Sequence, residues 1–258
     1  TFSAKAGKRI KELFEERMSG GCSFCTCAGT HVFLSVKETV ACLMKQIRFL
    51  QKAYKFKSFV IGSENPFRFI EQLIRQIMEE QIDIEILAIR SRVDWVNKNK
   101  RILRKAAGLA KKSNFTISLQ QLGFESFIQS DLDIYNKGYK VAENVKAVAL
   151  MRELKNLAPR NFQEGGHGLI GINPWITPRE LKKYSESAGA MQFLFDAFHF
   201  GNGLVLYDSC LPIYQKLKKD GLLIEYATDL DRWRFKDKNI ARLINDFSHR
   251  LGNKRQLL

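Results

Sequence analysis

A chain of 258 residues, 45% hydrophobic and 27% charged, is long enough to bury a large core, most simply as one domain, and its composition excludes disorder, collagen and coiled coil. No stretch approaches the ~18 to 20 uninterrupted apolar residues of a membrane span, and residues 1–21 lack the basic-then-apolar order of a signal peptide, so a cytoplasmic protein with no membrane partner is expected. Lys and Arg number 42 against 27 Asp and Glu, and the net charge of +15 fits either a nucleic-acid partner or a solvated Lys-rich surface.

Residues 8–18 carry Ile10, Leu13 and Phe14 at helical spacing between charges, an amphipathic helix that stops at Ser19-Gly20-Gly21. Beyond a cysteine-rich loop, Ser35 precedes the periodic run Val40, Leu43, Met44, Ile47 and Leu50, with Glu38 three positions on. This predicts a capping box and a helix ending near Tyr54. Residues 58–61 read as a strand closed by Gly62, and residues 67–80 as a helix with Ile70, Leu73, Ile74 and Ile77 on one face. Two further units follow: a strand over 82–89 with a basic helix through Lys112, and a strand over 115–119 with a helix over 141–157. A loop over 159–166 leads to a strand over 168–172, a helix over 178–187, an apolar run over 191–198 and a helix over 211–217. Residues 231–251 read as an appended helix with Ile240, Leu243, Ile244 and Phe247 on one face.

Short apolar strands alternating with amphipathic helices are the signature of βα units, so the class is α/β. Five strands are readable after the cysteines, and one before them would make six, enough for a partial (β/α)6 TIM-like barrel. The expected organisation is a helical segment over 1–18 that replaces the first strand, the partial barrel over 19–230 and a helical extension over 231–258.

Five cysteines, an odd number, argue against a disulfide framework, and three of them, Cys22, Cys25 and Cys27, lie within six residues directly after two glycines. Thiolates so placed suit an iron–sulfur cluster or structural zinc, with His31 a possible fourth ligand, or a redox Cys-x-x-Cys. Cys42 and Cys210 are isolated. The alternative is that all three are small buried hydrophobes.

Cys22-Ser23-Phe24-Cys25 resembles the second half of the Cys-x3-Cys-x2-Cys loop of the radical S-adenosylmethionine (SAM) superfamily. Leu122-Gly123-Phe124-Glu125-Ser126 followed by Asn136-Lys137-Gly138, and Arg92-Val93-Asp94 after the strand over 82–89, are similar to recurrent stretches of the same proteins. Residues 204–223 resemble the closing segment of its cobalamin-associated subgroup. The resemblance covers roughly residues 19–225 in consistent order. It implies a 4Fe–4S cluster on Cys22, Cys25 and Cys27, SAM, a cobalamin supplied by a domain absent from this chain, and an electron donor such as flavodoxin or ferredoxin. It also implies that Ser63, Glu64 and Asn65 meet the SAM amino group, that Glu125 and Ser126 hold the ribose, and that Phe24 and backbone near Gly171 flank the cofactor. The implied activity is formation of a 5′-deoxyadenosyl radical or methyl transfer to an unactivated carbon, on a substrate the sequence does not name.

Two departures stand out. Met18 occupies the position of the first cluster cysteine, and a thioether is a poor ligand beside thiolates. A charged helix over 8–18 stands where relatives carry a β-branched strand. The chain is therefore expected to recruit Cys27 as third ligand, to be a cluster-free relative acting as a binding or scaffold partner, or to be a fragment whose N-terminal end is not native to it. A tRNA-modifying relative, its positive charge meeting RNA, is a third functional reading. His167, in Gly165-Gly166-His167-Gly168, is expected at an inert N-terminal rim, and His199 at the edge of the core.

Overall fold

The computed structural model describes residues 22–23, 34–63, 65–190, 198–203, 211–224, 232–240 and 242–243. Helix α1 (Val36–Tyr54) begins at the expected capping box: the Glu38 amide donates to Ser35 Oγ at 3.2 Å and the Ser35 amide donates to Glu38 Oε2 at 2.9 Å. It buries Val40, Met44 and Ile47 and ends at Lys55, whose left-handed φ of 60° lets its amide close on the Gln51 carbonyl.

Strand β1 (Ser58–Ile61) is followed by a 3-10 turn (Pro66–Arg68) and helix α2 (Ile70–Glu79). Strand β2 (Ile86–Ile89) follows, then helices α3 (Val93–Lys98) and α4 (Lys100–Ser113). The basic helix expected here as one piece breaks at Asn99, whose side chain and backbone amides both donate to the Trp95 carbonyl. Strand β3 (Thr116–Gln120), helices α5 (Gln129–Ile134) and α6 (Val141–Leu157), and strand β4 (Phe162–Gly165) complete a four-stranded sheet. All its pairs are parallel and its strand order is β1-β2-β3-β4.

Register shows how the sheet is covered. Phe59, Leu87, Ile117 and Phe162 line up across it, as do Ile61, Ile89 and Leu119, and both rows belong to one core with Met44, Leu73, Ile77, Leu103, Ala107 and Leu154 of the helices. The other face carries the row Val60, Ala88, Ser118 and Gln163. Parallel neighbours need crossover connections, and the connecting helices α2, α4 and α6 supply Leu73, Leu103 and Leu154 to this core.

Strand β4 lies in the stretch expected to be a loop. Phe-Gln-Glu-Gly offers one buried apolar side chain, so its strand character comes from pairing with β3 rather than from alternation. At Gly166 the chain takes a φ of 66°, which glycine adopts without strain, and continues as β5 (His167–Ile172). Strand β5 pairs in parallel with β6 (Phe198–Gly203), and a parallel bridge from Glu125 to Leu169 ties it to the loop after β3. Helices α7 (Pro178–Ala190) and α8 (Pro212–Lys219) follow in their expected places.

The appended helix begins differently from expectation. Strand β7 (Leu223–Ile224) pairs antiparallel with β8 (Arg232–Trp233), so the start of the 231–251 stretch is a hairpin arm, with helical backbone at Ile240 and at 242–243. Ile240 is buried against Ile176 and Leu181. The helix expected over 8–18, most of the apolar run over 191–198 and the residues beyond 243 lie outside the described residues. No helix among the described residues is long and apolar enough to cross a membrane.

Ile117, fully buried at the centre of β3, is the simplest probe of this core. Ile117→Ala is expected to lower stability by about 2–5 kcal/mol, read as a lower urea midpoint with unchanged slope.

Candidate functional site

Because every strand of the sheet runs the same way, the loops after β1, β2 and β3 leave from one edge, and hydrogen bonds join the last two of them there. The Gly123 amide donates to the Ser91 carbonyl at 3.2 Å, joining the loops after β3 and β2, and Tyr139 Oη donates to the Gly123 carbonyl at 2.7 Å. The cysteine loop reaches the same edge. Ser23 donates its amide to the Tyr135 carbonyl at 3.0 Å and its hydroxyl to the Ile134 carbonyl at 2.9 Å, while its own carbonyl caps α8 through the Ile213 amide at 3.0 Å.

Arg92 collects these segments. Its Nε donates to Asp94 Oδ1 at 3.0 Å, one terminal nitrogen donates to the Lys137 carbonyl at 2.6 Å, and the other to Cys22 Sγ at 3.4 Å. The guanidinium carbon lies 5.9 Å from the ring centres of both Trp95 and Tyr139. Burial works against its charge, but Cys22 and Asp94 outweigh that cost and hold the Arg92 pKa above its ordinary value. The planar five-donor fork makes three directed contacts at once, a geometry lysine cannot supply.

Glu125 sits beside this cluster in the left-handed region, φ 57°, and its carbonyl accepts from the Ile170 amide at 2.6 Å. Its carboxylate faces Lys137 Nζ at 3.2 Å, with the lysine side chain only 2% exposed. Gly123 makes room for the pair, since a Cβ there would stand 2.9 Å from Glu125 Oε1 and 3.0 Å from Lys137 Nζ. Lys137 also lies over the Tyr139 ring, 5.7 Å from its centre. Burial, followed by the Glu125 carboxylate, pushes the Tyr139 hydroxyl pKa up.

Ser126 lies inside the fold. It is fully buried; its hydroxyl donates to Asp131 Oδ2 at 2.6 Å and accepts from the Ile128 amide at 3.0 Å. These two bonds fix the loop after β3 from within. Asp131, 1% exposed, accepts a second hydrogen bond from Asn173 Nδ2 at 2.9 Å and so links the loop after β3 to the end of β5. Asn144 donates to the Phe124 and Ser126 carbonyls from α6. Burial raises the Asp131 pKa to about 6, against the opposing hydrogen bonds from Ser126 and Asn173.

Ser63 and Asn65 follow β1, half-buried, with Asn65 Oδ1 buried and without a hydrogen-bond partner among the described residues. Gly171 lies within β5. Met18, Phe24, Cys25, Cys27, His31, Glu64 and Cys210 lie outside the described residues, and Cys42 is exposed on α1. Among the described residues no three His, Cys, Asp or Glu side chains gather as a metal group, and of the three candidate ligands Cys22 alone belongs to them. His167 opens β5 at the strand entrance and is fully buried: its Nδ1 accepts from the Leu122 amide at 3.1 Å, and its ring packs on Phe124. His199 pairs by backbone register with Gly168.

Asp131 and Asn173 carry no sequence signal that separates them from ordinary polar residues. Lys137 and Arg92 stand in motifs, but only the fold brings the first to Glu125 and the second to Cys22. The chain matches no protein-family model, no curated protein and no solved structure.

The raised pKa of Asp131 has a definite sign. Above pH 6 the fold keeps it ionised at a cost; as pH falls from about 6 towards 4 the native state takes up a proton that the unfolded chain does not, and the cost of about 3 kcal/mol is relieved. Asp131→Asn keeps the shape without the titration. Wild type should therefore gain stability relative to this variant between pH 7.5 and pH 5 in paired urea titrations, and a pH-independent difference would show that no buried charge is involved.

Proposed function

We propose that this chain is the core of a radical SAM enzyme built on a partial (β/α)6 barrel. The observation that carries the reading is the contact between Arg92 and Cys22, which brings the described cysteine of the Cys22-to-Cys27 loop to the strand-end edge where Glu125 and the loop after β1 also lie. Open α/β sheets bind ligands outside the carboxyl ends of their strands. The sequential parallel order of β1 to β4, the turn at Gly166 into β5 and the bridge from Glu125 to Leu169 are compatible with a barrel open on one side.

Cys22, Cys25 and Cys27 would hold the 4Fe–4S cluster. Three thiolates suit the donor chemistry of such a group and leave one iron for the amino and carboxylate groups of SAM. When bound, the cluster supplies the electron that cleaves the SAM sulfonium to methionine and a 5′-deoxyadenosyl radical. The residues of this chain place and insulate. Arg92 donates to the Cys22 sulfur, a hydrogen bond of the kind that tunes cluster potential. Glu125 offers a carboxylate oriented by Lys137, suited to accepting from ribose hydroxyls, and Ser126, Asp131 and Asn173 keep its loop in place. Among the described residues after β1, Asn65 offers a buried oxygen able to accept from an ammonium group. A cobalamin cofactor and a flavodoxin or ferredoxin donor complete the proposal, and methyl transfer to an unactivated carbon is the alternative outcome of the same chemistry.

Met18 favours a second reading, a cluster-free relative that binds SAM or a partner without radical chemistry. Anaerobic reconstitution separates the two. The enzyme reading expects about four irons per chain, a reducible paramagnetic cluster and 5′-deoxyadenosine from SAM, all lost in Cys22→Ala. Arg92→Lys should retain iron but shift the reduction potential. SAM binding with no iron retained would support the second reading and remove the first.

A further inference from the structure

The end of α1 and the turn into β1 carry a feature unrelated to the strand-end site. Residues 45–57 contain Lys45, Arg48, Lys52, Lys55 and Lys57 and no carboxylate. Three large aromatic side chains are exposed in the same stretch: Phe49 at 62%, Tyr54 at 60% and Phe56 at 52%. They form one group. Tyr54 and Phe56 stack with ring centres 5.6 Å apart, and Phe49 meets Tyr54 edge-on at 6.3 Å. Lys45, Phe49 and Lys52 stand at i, i+4 and i+7, so cations flank the aromatic ring along one helix face.

The same stretch lines a recess of about 390 Å3 with Arg48, Gln51, Lys52, Lys55 and Lys57, closed by Asp83. The facing carboxylates come from the stretch between α2 and β2: Glu80 pairs with Arg48 at 2.6 Å, Asp83 with Lys57 at 2.6 Å, and Glu85 lies 3.9 Å from Lys57. Lys45, Lys52 and Lys55 form no ion pair among the described residues. These three cations are left to an outside anion.

Aromatic faces that tolerate any base, set among cations that follow a backbone, are how proteins bind single strands without reading sequence. We infer that this surface docks a single-stranded polynucleotide, with bases stacking on Phe49, Tyr54 and Phe56 and phosphates meeting Lys45, Lys52 and Lys55. A flat anionic bilayer fits less well, because Lys52 and Lys55 line a concavity that a strand can enter and a planar surface cannot. The surface needs neither a cluster nor SAM, so its failure leaves the strand-end reading untouched.

Fluorescence anisotropy of the full chain with labelled oligouridylate and oligothymidylate of about 12 nucleotides, at about 50 and about 200 mM salt, tests it. Lys45→Glu, Lys52→Glu and Lys55→Glu together should weaken binding at least about tenfold at the lower salt and reduce the slope of log affinity against log salt by about 2. Phe49→Ala, Tyr54→Ala and Phe56→Ala together should weaken it about tenfold at both salts with the slope unchanged. All six side chains are exposed, so both variants should keep the wild-type circular dichroism, and the single substitutions are read alongside them. Absence of oligonucleotide binding, equal binding by both variants, binding to phosphatidylserine vesicles alone, or a dimer that the aromatic substitutions dissociate would each overturn the inference.

Discussion

Parallel pairing in sequential order is the constraint on which the rest of this molecule depends. Each strand must return over one face before pairing with the next, so helices collect on that face and every strand's carboxyl end opens at the same edge. The core rows Phe59, Leu87, Ile117, Phe162 and Ile61, Ile89, Leu119 are one result. The meeting of Cys22, Arg92, Glu125 and Lys137 at the strand-end edge is the other.

That edge is held by buried polar groups rather than by apolar packing alone. Arg92 ties the cysteine loop to α3 and to the loop before α6; Asp131 ties the loop after β3 to the end of β5. Each such group gives up hydration and recovers it through directed hydrogen bonds, so the loops are fixed in one arrangement. Asp131 keeps part of that cost, as its raised pKa records. This division of labour explains why adjacent residues differ in role: Glu125 retains an oriented carboxylate near the edge, whereas Ser126 spends its hydroxyl inside.

The net charge of +15 has a local counterpart. Five cations and three exposed aromatic rings occur over residues 45–57, at the C-terminal end of α1 and the turn into β1, where the strand-end loops are not. A chain-wide excess of lysine fits a solvated surface equally well; only its coincidence with an aromatic group and a recess gives it a chemical partner.

The sequence by itself determined the local elements. The capping box at Ser35 and Glu38, the apolar stripe of α2 and the positions of β1 and β3 follow from periodicity and short-range hydrogen bonding, which depend on neighbours in the chain. It also marked the cysteine loop and the Gly123-to-Ser126 stretch. Tertiary structure alone decided what long-range contacts control: that Phe162–Gly165 is a strand, that His167 is buried against Leu122 and that Asp131 meets Asn173. The physical reason is separation along the chain. Arg92 and Cys22 are 70 residues apart and Asn173 and Asp131 are 42 apart, distances over which no local propensity acts and only the folded sheet brings partners together.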